Sequence, residues 1–442
     1  MNRTRASPNG PLRTSRPRGR RLLPTSLLAL ALIATACAPS GPPGAPAGGA
    51  PSVTPAPPAA TTSAGPATSA APTRAPSGAP SPAPARTPLA TPDLSRVGFS
   101  LAGWKTDFSK HSVPLEEITS GGPPRDGIPP LDHPTFESVS QVDAWLAPRE
   151  PVVFVQVRDQ ARAYPLQILV WHEIVNDVLG DVPVAITYCP LCNSAIAFDR
   201  RLGERVLDFG TSGNLRNSDL VMWDRQTESW WQQLTGEAIV GELTGARLQP
   251  LPALVVPWSE FRARFPQGQV LSRNTGYRRD YGRNPYLGYD ELTRSPFLFA
   301  GTPDGRLPPM ERVVALHLGG EDVAYPFSAL SARHVVADRV GGEPIVVLYQ
   351  PGTLSPLDSG AIAQGRDVGA AAVYRPRVQG RSLTFAWQQE AFVDAETGSR
   401  WDLFGQAVAG PLAGQRLEPV VHGTYFWFAW AAFKPQTRVW TP

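Results

Sequence analysis

What most restricts the fold of this chain is that its C-terminal part states one pattern twice. Ala163, Tyr164 and Pro165 recur as Ala324, Tyr325 and Pro326, and Asp177, Gly180, Pro183 and Tyr188 recur at the same spacing as Asp338, Gly341, Pro344 and Tyr349. Further on, Asp224, Thr227, Ser229 and Trp231 answer Asp394, Thr397, Ser399 and Trp401. After a one-residue slip, Gly236, Gly241, Gly245, Leu248, Pro250, Trp258 and Pro266 answer Gly405, Gly410, Gly414, Leu417, Pro419, Trp427 and Pro435. Two related halves, 145–272 and 310–442, account for this economically, and with only two copies a pseudo-symmetric pair is expected rather than a solenoid.

Within a half, 152–157, 182–188, 195–198, 205–209 and 220–223 read as strands, 166–179 as a helix closed by Gly180, and 258–265 as a short helix ended by Pro266. Many connections are too short for parallel crossovers. The expected class is therefore α+β: mainly antiparallel β with a few helices, in two pseudo-repeated halves.

The N-terminus is different material. Residues 1–92 hold nine arginines and no acid, so without them the 41 basic residues fall to 32 against 38 acidic ones, a net charge of −6 rather than +3. That balance disfavours a basic nucleic-acid-binding domain. Seven arginines before Leu22, an apolar run over 27–33 and the small residues Ala34, Thr35 and Ala36 before Cys37 have the layout of a lipoprotein-type signal peptide (1–37), with Cys37 as the lipidated residue. The apolar run is too short to span a bilayer. From 38 to 92 the chain is Ala, Pro, Ser, Gly and Thr without an aromatic residue, a disordered tether that cannot offset the entropy of ordering a core. The expected organisation continues with a first repeat domain carrying Cys-x-x-Cys (93–272), a Tyr/Arg-rich insert (273–309) and a second, cysteine-free repeat (310–442).

With Cys37 assigned to lipid, only Cys189 and Cys192 remain, in Thr187-Tyr188-Cys189-Pro190-Leu191-Cys192-Asn193. Two thiols three apart in a turn close a small disulfide, exchange one with another protein, or offer two soft ligands to a metal. The second half reads Tyr349-Gln350-Pro351-Gly352-Thr353 at this place, keeping the turn and losing both sulfurs, which favours a function over a staple. On the preceding helix His172, Glu173, Asn176 and Asp177 share one arc, an imidazole for ligation or base chemistry with carboxylate and amide in support. Arg333 and Ala337 stand for His172 and Asn176 in the second half, so the polar groups and the thiols disappear together. Thr211-Ser212-Gly213-Asn214 reads as a turn, Trp230, Trp231 and Trp401 as core, and Arg278, Arg279 and Tyr281 of the insert as groups suited to recognition. No phosphate-cradling loop, dinucleotide fingerprint, His-Glu-x-x-His helix or serine-hydrolase elbow is present.

On Trp171 through Asp177, Thr187 through Cys192, Phe209 through Leu215 and Trp231 through Gly245, the chain resembles the uncharacterised bacterial domain-of-unknown-function family numbered 3179. The resemblance implies membership and a secreted habit, and brings no reaction with it.

Two functional expectations follow. The first is an extracytoplasmic, membrane-anchored lipoprotein with a Cys189/Cys192 centre and His172 as third ligand, holding copper or zinc or cycling as a dithiol, with Glu173 and Asn176 in support. The second is a non-catalytic binding or scaffold lipoprotein that takes a small-molecule or protein partner in a cleft between the halves, lined by Arg278 and Tyr281.

Overall fold

The computed structural model describes residues 91–442. The expected signal with Cys37, and the tether up to residue 90, lie outside the described residues.

Antiparallel pairing dominates, as the short connections require. Strand Pro151–Val157 runs between Ala253–Pro257 and Gln160–Pro165, and the sheet is extended by Gln269–Leu271 and Phe136–Ser138. A second sheet orders Gln249–Leu251, Ser194–Asp199, Val182–Cys189 and Ile174–Leu179, and a third orders Ile118–Ser120, Phe209–Arg216, Asp219–Asp224, Trp230–Gln232 and Glu237–Val240. Beyond residue 310 the same orders return. Gly423–Phe426, Arg312–Leu318, Glu321–Pro326 and Arg438–Val439 form one sheet, Glu418–Pro419, Ala370–Arg375, Glu343–Gln350 and Val335–Val340 another, and Phe385–Gln388, Ala391–Asp394, Arg400–Trp401 and Ala407–Ala409 a third. Parallel pairing occurs at matching places, between Gln160–Pro165 and Gln269–Leu271 and between Glu321–Pro326 and Arg438–Val439.

The recurring residues have concrete mechanical work. Tyr164 donates to Asp177 Oδ2 at 2.7 Å, and Tyr325 to Asp338 Oδ2 at 2.6 Å. Asp224 accepts from the Thr227 N–H and hydroxyl and, at 2.8 Å, from Trp231 Nε1, and Asp394 does the same for Thr397 and Trp401. A buried carboxylate satisfied by three donors pins a tight turn to a buried indole, which explains why Asp, Thr and Trp keep their spacing.

The ranges 93–272 and 310–442 share their cores. Val152, Phe154, Trp258 and Phe261 pack in one cluster with Leu348, Tyr374, Trp401 and Leu403, while Cys189, Cys192, Phe209 and Trp231 pack in another with Val313, Trp427 and Phe428. Trp230, Trp231 and Trp401 are buried, as expected of core.

Two local readings are corrected. The helix expected over 166–179 is Leu166–His172, and a strand, Ile174–Leu179, follows it. Glu173 takes a left-handed conformation (φ 57°), which reverses the chain, and the β-branched pair Ile174 and Val175 then enters the sheet opposite Thr187 and Ile186. The four polar residues read as one helical arc are thus divided between a helix end and a strand. Residues 211–214 are not a free turn but part of strand Phe209–Arg216, where the register shifts in a bulge between Thr211 and Asn214 and Gly213 sits at φ 79°.

Candidate metal centre

Two hairpin ends meet inside the core. One is the turn joining Val182–Cys189 to Ser194–Asp199, closed by the Cys192 N–H on the Cys189 carbonyl at 3.2 Å and anchored by the Phe426 N–H on the Cys192 carbonyl at 2.8 Å. The other is the tip of the hairpin formed by Phe209–Arg216 and Asp219–Asp224, whose two turn residues, Asn217 and Ser218, both have positive φ, 53° and 65°. Such a turn suits the strand twist but is costly for a serine.

Cys189 and Cys192 are both free thiols, 2 % and 0 % exposed, with their sulfurs 3.7 Å apart. Each thiol donates to the Ser218 carbonyl, from 3.9 Å and 3.5 Å respectively. The carboxylate of Asp219, 0 % exposed, joins them, and the three ligand atoms lie within 4.8 Å of one another. Asp219 Oδ2 accepts from Gln232 Nε2 at 2.6 Å and the Leu234 N–H at 3.0 Å, whereas Oδ1 has no hydrogen-bond partner of normal geometry. Among the described residues no arginine or lysine is paired with this carboxylate.

The electrostatics are those of donors kept dry without a counter-charge. Burial pushes the Asp219 carboxyl up to about 6 and raises both thiols above their ordinary value. Glu173, at the turn between helix and strand, is pushed up to about 8 by burial, with the Asp219 charge adding to it and the Tyr286 hydroxyl bonded to its carboxylate. Its carbonyl accepts the Tyr188 N–H at 2.8 Å, which sets the helix end beside the cysteine turn as the sequence suggested.

His172 is not in this group. Its buried ring bonds the Pro129 carbonyl through Nδ1 at 2.8 Å and the Tyr281 hydroxyl through Nε2 at 2.6 Å, so both nitrogens are committed elsewhere, and Asp219 stands where His172 was expected. Asn176 is also occupied: it exchanges two bonds with the Phe209 backbone and donates to Asp132. It clips the Ile174–Leu179 strand to the base of the hairpin that carries Asp219.

The insert turns Tyr281, Tyr286 and Tyr289 inward, while Tyr277 is exposed. Tyr281 receives the Thr275 hydroxyl as well as bonding His172, Tyr286 reaches Glu173, and Tyr289 is buried beside the thiols. Arg278 is exposed. Between the halves, Tyr188, Asn193, Arg312 and Thr353 border a cavity of about 20 Å³, room for one water, and a larger one of about 180 Å³ lies against the insert, lined by His133, Leu271, Thr275 and Tyr277.

Asp219 and Ser218 are the site residues that sequence reasoning missed. A usable signal exists in the comparison of halves: Phe209 pairs with Asp224 at the base of one hairpin, and Phe385 with Asp394 at the base of the other, so 209–224 is six residues longer than 385–394. The shorter hairpin ends at Gln389 and Glu390, both exposed. The extra length carries Ser218 and Asp219 into the core.

Fold and site together define a mainly antiparallel α+β protein with a buried dithiol–carboxylate cluster. The family model described as "Protein of unknown function (DUF3179)" matches residues 125–437, and the chain belongs to that family. No curated protein and no solved structure matches it.

Proposed function

We propose that this protein is an extracytoplasmic lipoprotein, held to a membrane through Cys37, whose globular part binds a soft or borderline metal ion at Cys189, Cys192 and Asp219. The observation that carries the reading is the convergence of two thiols and a carboxylate, all buried, at a point where no arginine or lysine is paired with Asp219 and its Oδ1 has no hydrogen-bond partner of normal geometry. A buried carboxylate without a counter-ion is costly unless a metal or proton neutralises it, and mixed sulfur–oxygen donors suit copper or zinc. Dithiol exchange with another protein needs an accessible thiolate; burial with raised pKa values works against it here. The reading assigns no reaction. The repeated sheet orders and matched Asp-Thr-Trp clusters support the further view that the halves are copies, of which only the first kept the site.

The membrane part rests on residues 1–92, and among the described residues no helix is long and apolar enough to cross a bilayer. Two measurements test the proposal. Full-length protein expressed in a bacterium is expected in the membrane fraction and Cys37→Ser in the soluble one; equal partition of both refutes the anchor. Elemental analysis of protein purified under reductant is expected to give one metal ion per chain, lost in Cys189→Ser; a metal-free parent whose cysteines form a disulfide refutes the centre.

A further inference from the structure

The distances at the two hairpin ends say more than that a metal could be held. A tetrahedral ion with thiolate bonds of about 2.3 Å separates its two sulfurs by about 3.8 Å, and with an oxygen ligand at about 2.1 Å each sulfur–oxygen edge is about 3.6 Å. Here the sulfurs are 3.7 Å apart, and the Ser218 carbonyl oxygen is 3.5 Å from one and 3.9 Å from the other. A linear two-thiolate ion with the same bond length needs sulfurs about 4.6 Å apart. The carbonyl thus stands from both sulfurs at about the spacing a tetrahedral vertex requires, in a turn where Ser218 has positive φ.

Resting on the metal reading above, the geometry points to a zinc-class divalent ion held tetrahedrally by Cys189 Sγ, Cys192 Sγ, an Asp219 carboxylate oxygen and the Ser218 carbonyl oxygen. The ion then has four protein ligands and no open position, the hallmark of a structural rather than a catalytic site. It ties the 189–192 turn to the tip of the 209–224 hairpin, two elements that share no strand pairing. This gives the six extra hairpin residues a purpose: they are the arm that delivers half the ligands. In the second half, where no thiol stands at the corresponding turn, the arm is short.

The test uses the full chain, purified under reductant and offered Zn²⁺, Co²⁺ and, anaerobically, Cu⁺ in turn. One Zn²⁺ per chain is expected, with a higher Tm, a cobalt form showing the strong visible bands of a tetrahedral thiolate complex, and a zinc-edge X-ray absorption shell of two sulfurs and two oxygens. Asp219→Asn, which keeps the shape of the side chain, is expected to weaken zinc by at least the roughly 10- to 100-fold that loss of even an outer partner costs, while its apo form melts as a folded protein. Binding of Cu⁺ alone, with a two-sulfur shell, overturns the ion class and ligand set but leaves a metal centre standing. Zinc affinity unchanged in Asp219→Asn overturns the ligand set. No uptake of any of the three ions overturns this inference together with the metal reading beneath it.

Discussion

Replacing His172 by glutamine should remove a defined part of the acid sensitivity of this fold. Nδ1 faces a carbonyl, which only accepts, so it carries the proton, and Nε2 must accept from the Tyr281 hydroxyl at 2.6 Å. Protonating Nε2 places a positive charge on a buried ring and obliges the Tyr281 hydroxyl to turn round as acceptor. Burial, with the Arg279 charge adding to it, accordingly depresses this imidazole from 6.5 to about 4. Because the folded pKa is the lower one, the unfolded chain binds the proton more readily, and stability is lost as pH falls from 6.5 towards 4. At 1.36 kcal/mol per pKa unit the shift amounts to about 3 kcal/mol, fully present above pH 6.5 and gone below pH 4. The assay is urea unfolding of metal-free full chain at intervals from pH 7.5 to 4. Asp219 and Asp402, both raised to about 6 by burial, act with the opposite sign, and they cancel when parent and His172→Gln are compared. The parent's stability relative to the variant should fall by about 3 kcal/mol across the window. A difference that does not change with pH refutes the reasoning.

Other outcomes follow from packing. Asp290, 0 % exposed, accepts from Arg312 at 2.5 Å and from Ser355, so Asp290→Ala leaves Arg312 buried without a counter-charge and should cost about 3–5 kcal/mol in urea unfolding. Removing the half-exposed Arg366, also paired with Asp290, should cost about 1 kcal/mol or less. Gly236 and Gly245 both have positive φ, but a Cβ at Gly236 meets the Phe198 ring at 2.7 Å, whereas at Gly245 the space is open. Both alanine variants carry about 1–2 kcal/mol of backbone strain, and Gly236→Ala should lose about 1–3 kcal/mol more through overpacking. Equal thermal shifts would contradict the clash.

The strands were legible because alternation and β-branching are local, and the recurring residues stand out because Tyr164 is bonded to Asp177 and Trp231 to Asp224. Apolar spacing continues past His172, so periodicity alone extends the helix to Leu179. The left-handed Glu173 caps the helix there. The thiol pair was visible from spacing alone, but its third partner was not. Asp219 lies far along the chain, and His172 was the nearer candidate by sequence. The imidazole is drawn away by a carbonyl at Pro129 and a phenol from the insert, partners that no periodicity announces.

The most direct test of the central claim is an anomalous difference map from crystals of the zinc-loaded protein. The account predicts one peak between the Cys189 and Cys192 sulfurs, within bonding distance of both and of the Asp219 carboxylate. A map without that peak, or density joining the two sulfurs as a disulfide, would contradict it.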